Sequence, residues 1–232
     1  MEGQQLVEQV RELRARGRSP KQIARALGVR PAVVAPIVRA LGEQEAPSEA
    51  PVIGCWVSAG WSVGLDVPDD LAWHDEPSYG RDISGLAGVA VARQRQHRSQ
   101  VTVAGYLVDT YCLGVKDAVG PVTLGELELK SWRQRFFAAF DSIELEVPIA
   151  LGRQVVWGAV AFAETLSQSP HRDFNAVRDH LGPQHEPAAI GFGRHGMPFY
   201  VAGPYDDVDR IMADLDASVG GGNYHFVSPA AL

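Results

Sequence analysis

The run YLVDTYCLGVKDA, Tyr106 to Ala118, sets four groups able to do chemistry into an apolar stretch: Asp109, Cys112, Lys116 and Asp117. A carboxylate, a thiol and an amine so close together could act as base, nucleophile and charge stabiliser. A cysteine nucleophile needs a neighbouring base, and no histidine lies in the run. Cys112 therefore reads as a small buried residue, and Lys116 with Asp117 as the close of a turn. If the run is a strand up to Leu113, Asp109 and Tyr111 share one face and Val108 and Cys112 the other. Further along, His171, Asp173, His180 and His185 gather in the sequence. The spacing of His171 and His180 is not the i, i+4 step that sets two ligands on one helix face, so no metal is expected. His225, in NYHF, is the unassigned general base best placed on a terminal strand. An enzymatic site would have to draw on Asp109, Cys112, Lys116, His171, Asp173 and His225. These residues converge on no named reaction, and a non-enzymatic role is favoured.

Two motifs are false leads. GFGRHG, Gly191 to Gly196, fits the glycine pattern of a dinucleotide-binding turn. That turn requires a helix after the glycines, whose N-terminus holds the pyrophosphate. Here Met197-Pro198-Phe199-Tyr200-Val201 follows, which reads as a strand. Arg194-His195-Gly196 is then a hairpin tip, and the first two glycines permit another backbone to approach closely. HRDFN, His171 to Asn175, opens like the kinase catalytic loop, but its asparagine follows the aspartate by two positions instead of five. It reads as a helix start, with Ser169 as the cap and Asp173 in the first turn. No cofactor is expected.

The elements that must position these residues fall into two parts. In the first 41 residues, Leu6, Val7, Val10 and Leu13 form a helical stripe that stops at Gly17. Ser19-Pro20 opens a second helix, PKQIARAL, which Gly28 ends. Pro31 opens a third helix with Val34, Ile37, Val38 and Leu41 on its apolar face. Residues 42–51, GEQEAPSEAP, carry no large apolar side chain and read as a linker. From residue 52 to 232 the order is α+β. Strands VIGCWVSAGW, LAGVAVARQ and VTVAGYLVDTYCL come first, the last two joined by the polar stretch Arg95 to Gln100. A helix through Trp132, Phe136 and Phe140 is opened by a Thr123/Glu126 capping box. A largely apolar helix follows Pro148 and belongs in the core, and a shorter one ends at Gly182. The close is strand, turn, strand, helix (DDVDRIMADLDASV) and strand (NYHFV). This order lacks the regular strand–helix alternation of a doubly wound sheet.

Composition narrows the class. The 46% apolar content is that of an ordinary globular chain. No apolar run is long enough for a membrane helix, and MEGQQLVEQV is too polar for a signal peptide. Two cysteines without a C-x-x-C pair fit a reducing, cytoplasmic setting. The net charge of −7 is unevenly spread: residues 1–42 hold eight Lys/Arg and three Glu, so the remainder is strongly acidic. The basic head, GRSPKQIARALGVRPAVVAPIV, resembles the helix-turn-helix units of resolvases and transposases. That resemblance implies nucleic-acid contact, for which Arg14, Arg16, Arg18, Lys21, Arg25, Arg30 and Arg39 are the available groups. The segments YLVDTYCLGVKDA, GAVAFAETLSQSPHRDF and FYVAGPYDDVDRI with GGGNYHF resemble an uncharacterised, actinobacterial protein family, which implies no activity.

The third helix of the head offers Pro31, Ala32, Ala35, Pro36 and Arg39 outward, nearly bare of groups that could read base edges. Pro36 removes the N–H that would bond Ala32, so a kinked or short helix is expected. Phosphate-dominated contact with DNA or structured RNA, alone or in a ribonucleoprotein, is the favoured role. The acidic body would then offer a surface to a protein partner. A protein-docking adaptor and an enzyme are the alternatives. Titration with NAD or NADP should give no heat of binding; a micromolar isotherm would restore the dinucleotide reading of Gly191–Gly196.

Overall fold

The computed structural model describes residues 3–15, 18–44, 50–71, 73–76, 84–95, 100–140, 142–183 and 189–228. Arg16, His185, residues 45–49 of the expected linker and residues 96–99 of the polar stretch lie outside them. The chain divides into two compact units, Met1–Glu49 and Ala50–Leu232.

The first unit is three helices, α1 (Gly3–Ala15), α2 (Pro20–Leu27) and α3 (Pro31–Gln44). Val10, Ile23, Ala24 and Val34 are buried together, with Leu6, Val7, Leu13, Leu27, Ile37 and Val38 packed around them. Ser19 caps α2: its Oγ accepts from the Gln22 N–H, and Gln22 Oε1 accepts from the Ser19 N–H. Gly28 ends the helix at φ 66°, a left-handed conformation that glycine adopts without strain. Two expectations change here. α3 runs unbroken through Pro36 for 14 residues instead of stopping short. One lost hydrogen bond is outweighed by the apolar stripe of Val34, Ile37 and Val38 on the core. The same helix takes in Gly42 to Gln44, so the first part of the expected linker is helical.

In the second unit, alternation along each strand dictates a sheet covered on both faces. β1 (Val52–Ser58) sends Cys55 and Val57 to one side and Trp56 to the other; β2 (Leu86–Gln94) does the same with Val89 and Val91 against Ala90 and Ala92. β3 (Gln100–Asp109) and β4 (Gly114–Gly125) continue an antiparallel meander. α4 (Glu126–Ala138) then crosses the sheet, and β5 (Glu144–Glu146) pairs with β1 on the far edge, giving the order β4-β3-β2-β1-β5. α4 covers one face with Trp132, Phe136, Phe137 and the following Phe140. α5 (Ile149–Thr165) and α6 (Phe174–Leu181) cover the other, α5 through Leu151, Val155, Val156, Ala159 and Val160. The Tyr106 hydroxyl donates to the Val177 carbonyl, tying β3 to α6. Beyond α6, β6 (Phe199–Val201) pairs in parallel with β7 (His225–Val227), and α7 (Val208–Val219) packs Ile211 and Leu215 on Cys112, Leu166 and Tyr200. The α+β class is as the element order implied.

Three local expectations are corrected. Lys116 and Asp117 lie within β4, and the turn is Thr110 to Leu113, so the strand ends at Asp109 and does not reach Cys112. The Asp109 carboxylate causes this: its Oδ1 accepts the N–H of both Tyr111 and Cys112 and curls the chain. Thr123 is still in β4; α4 is capped instead by Glu128, whose carboxylate accepts the Gly125 N–H. Asp173, not Ser169, stands at the start of α6.

The aromatic cover fits because two strand positions lack side chains. A Cβ on Gly88 would stand 2.6 Å from the Phe140 ring, and one on Gly105 2.6 Å from the Phe136 ring. Gly105→Ala and Gly88→Ala should each lower stability by about 1–3 kcal/mol, the cost of overpacking a filled core. Urea midpoints measure this; unchanged midpoints would mean that α4 is not seated on the sheet as described.

Candidate functional site

In the head, Arg18, Lys21, Arg25 and Arg30 are exposed, and they flank or lie on α2. The first turn of α2 carries no acidic residue. No Asp or Glu occurs anywhere from Leu13 to Gly42. Arg18 and Lys21 stand at the N-terminal end of α2, where the helix dipole adds to their positive potential, while Arg25 lies in its last turn and Arg30 beyond its Gly28 cap. Arg14 and Arg39 belong to α1 and α3. Pro31, Ala32, Val33, Ala35 and Pro36 are exposed on α3 and offer no hydrogen-bond donor from a side chain.

In the body, chemistry collects where β4 forms the sheet edge. Successive strand residues point to opposite faces, so Lys116 and Asp117 enter two different clusters. Lys116 Nζ lies 2.9 Å from Asp206 Oδ2, with both side chains largely buried. The same oxygen accepts the Gly203 N–H at 2.8 Å and the Tyr200 hydroxyl at 3.3 Å. Asp109 is buried nearby, and desolvation pushes its carboxyl up to about 6 against the pull of Lys116 and of backbone N–H groups. Burial also drives the Cys112 thiol up, and the Asp109 charge adds to this, so Cys112 is an unreactive core thiol. Burial likewise raises the Tyr200 hydroxyl, helped by Asp206. The arrangement is a closed, mutually satisfied polar staple between β4 and the loop before α7.

Asp117 meets His171 and Asp173 on the other side. His171 Nδ1 lies 3.8 Å from Asp117 Oδ1 and 3.7 Å from Asp173 Oδ2. The His171 N–H donates to the Val115 carbonyl at 2.8 Å, which hangs the histidine on the flank of β4. All three side chains are partly exposed. These are the described residues whose ligand atoms converge enough to hold a metal ion.

The remaining histidines go elsewhere. The His180 Nε2 lies 3.1 Å from the Val91 carbonyl and must carry the proton there, while its buried Nδ1 has no partner. Burial lowers its pKa to about 4. His225 packs its ring on Phe199, and no hydrogen bond or ion pair joins its side chain to either cluster among the described residues. GFGRHG is no phosphate cradle: His195 and Gly196 both have positive φ, 53° and 79°, in a tight turn, and β6 follows where a helix would be required. Its first glycine does admit a close neighbour, exchanging both hydrogen bonds with Asp66. The strand expected before the turn is reduced to that single bridge. Sequence reasoning brought forward Asp109, Lys116, His171 and Asp173 but missed Asp206, Tyr200 and the role of Asp117. The alternation of Lys116 and Asp117 was the available signal, hidden by assigning them to a turn.

Among the described residues no helix is long and apolar enough to cross a membrane. No family model, curated protein or solved structure matches the chain.

His180 and Asp109 act on stability in opposite senses. His180 has a lower pKa folded than its ordinary 6.5, so the native state binds fewer protons between about pH 6.5 and 4, and stability falls as pH falls through that window. Asp109 is raised from 3.8 to about 6, so the native state keeps a proton that the unfolded chain releases, and stability falls as pH rises through that window. Relative to wild type, Asp109→Asn should lose up to about 3 kcal/mol more on going from pH 6.5 to 4, and His180→Gln should lose less by a similar amount. Urea unfolding across this range reads both; parallel pH profiles for all three proteins would contradict the assignment.

Proposed function

We propose that this chain is a nucleic-acid-associated accessory or regulatory factor, whose head grips phosphates of DNA or structured RNA. The observation that carries this reading is the acid-free stretch Leu13–Gly42, with seven basic residues and exposed Arg18, Lys21, Arg25 and Arg30 around the start and length of α2. A phosphate needs cationic donors, and Arg18 and Lys21 offer them at the start of α2, where the helix dipole adds to their potential. The helix-turn-helix resemblance supports the same reading. The poverty of donors on α3 argues for sequence-tolerant binding, since base edges are read by hydrogen-bonding side chains. The acidic body takes the role of a surface for a protein partner, acting in the cytoplasm.

A second reading has one observation in its favour. The exposed outer face of α3, with Val33 40% accessible, could seat a protein partner in place of a groove.

Binding through four phosphates should give a log–log salt slope of about −3.6, or about a hundredfold loss between 50 and 200 mM salt. Arg18→Ala, Lys21→Ala, Arg25→Ala and Arg30→Ala should each weaken binding to all sequences alike and make the slope shallower by about 0.9. Fluorescence anisotropy on random duplex DNA and on hairpin RNA measures this. One sharp motif selected from random duplexes would make the protein a sequence-specific reader. Failure to bind either polymer at low salt would favour the docking face of α3.

A further inference from the structure

We propose that Asp117, His171 and Asp173 form a binding site for a divalent transition-metal ion, independent of the head's role. The three donors come from β4, from the loop after α5 and from the start of α6, segments 54 residues apart in the chain that the fold brings to one point. Each is held. Asp117 Oδ1 accepts the Ala118 N–H at 2.8 Å, His171 is pinned to Val115 by its backbone, and Asp173 opens α6.

The position of Asp173 is the second line of support. An aspartate at a helix start ordinarily caps the helix by accepting a backbone N–H. Asp173 makes no such bond; at φ −71° and ψ −17° its backbone is already helical. Its Oδ1 lies 3.6 Å from Arg172 Nε, its Oδ2 is turned to His171, and its N–H donates to His171 Nδ1 at 3.4 Å, a long bond that a metal on that nitrogen would replace. The carboxylate is thus committed to the cluster at the expense of the helix end.

The spacing suits a metal polyhedron. Ligands about 2.1 Å from one ion stand about 3.4 Å apart in a tetrahedral arrangement. The separations around Nδ1 are 3.7 and 3.8 Å, and all the ligand atoms lie within 4.8 Å of one another, so the two carboxylates must draw in on the ion by side-chain rotation. An imidazole with two carboxylates suits zinc, manganese(II) or iron(II) over calcium or magnesium, which take oxygen ligands. Three protein ligands, all partly exposed, leave coordination positions open to water, as in sites where the ion acts on a bound molecule instead of stapling the fold.

The test is calorimetric titration of the metal-stripped full chain with Zn²⁺ alone and with Mn²⁺ alone. One ion per chain should bind, and Asp117→Asn, His171→Ala and Asp173→Asn should each weaken binding by about tenfold or more, a loss of about 1.4 kcal/mol. His225→Ala should bind as wild type does. Saturable binding that survives Asp117→Asn and His171→Ala, or no saturable binding at all, would overturn the site. Should a variant fail to fold, Mn²⁺ added to the wild-type protein gives the answer: the NMR signals of His171 and Phe174 should broaden first, and their persistence at stoichiometric Mn²⁺ would overturn the site equally.

Discussion

The body depends on a sheet that is buried on both faces. Once Cys55, Val57, Val89 and Val91 face α5, while Trp56, Ala90, Ala92 and Val103 face α4, an inner strand can present a polar side chain only where a backbone partner satisfies it, as happens at Ser58, Arg93 and Tyr106. The strands consequently read as unbroken apolar runs, and α4 must travel across the sheet from the edge at β4 to the edge at β5. Glycine appears where the aromatic cover presses closest, at Gly88 and Gly105. Charge is displaced largely to the two edge strands, Lys116 and Asp117 on β4 and Glu144 and Glu146 on β5.

β4 is where the two-sided cover gives out. Its first residues, Val115 and Ala118, are core, and between them Lys116 and Asp117 part to opposite faces. One reaches a buried aspartate and closes the loop before α7; the other stays in water beside His171 and Asp173. Asp109 explains why the two come so soon after β3. Its carboxylate, by accepting two backbone N–H groups, makes the tight corner that returns the chain at once as β4. Inside the sheet another polar group, Arg93, is buried by donating to the carbonyls of His180 and Leu181, at the negative end of α6. No carboxylate is needed where a helix C-terminus supplies the acceptors.

Much of this was legible in the residues. The head's three helices, the Ser19 cap, the Gly28 stop, the β2 and β3 strands and the central helix after Pro148 all followed from periodicity and capping chemistry. What failed had local causes. Thr123 with Glu126 has the pattern of a capping box, but pairing of β4 with β3 holds Thr123 in the strand and passes the cap to Gly125 and Glu128. Pro36 should have shortened α3, yet packing of the apolar stripe carries the helix past it. The candidate clusters were half visible: His171 and Asp173 are neighbours in sequence, whereas Asp117 and Asp206 join their partners only through the sheet and the loop before α7. No short-range pattern encodes a contact 90 residues long such as Lys116 to Asp206.

The head obeys a different constraint. Its core is small, centred on Val10, Ile23, Ala24 and Val34, so its surface is nearly all that it has to offer, and that surface is basic over α2 and apolar over α3. Which of the two meets the target is the central question. Amide shift mapping on the isotope-labelled full chain, titrated with a random-sequence duplex at low salt, answers it most directly. The account predicts shifts concentrated on Arg18 to Arg30, with the outer residues of α3 and the acidic body little changed. Shifts confined to the body, or to Ala32, Val33 and Ala35, would contradict it.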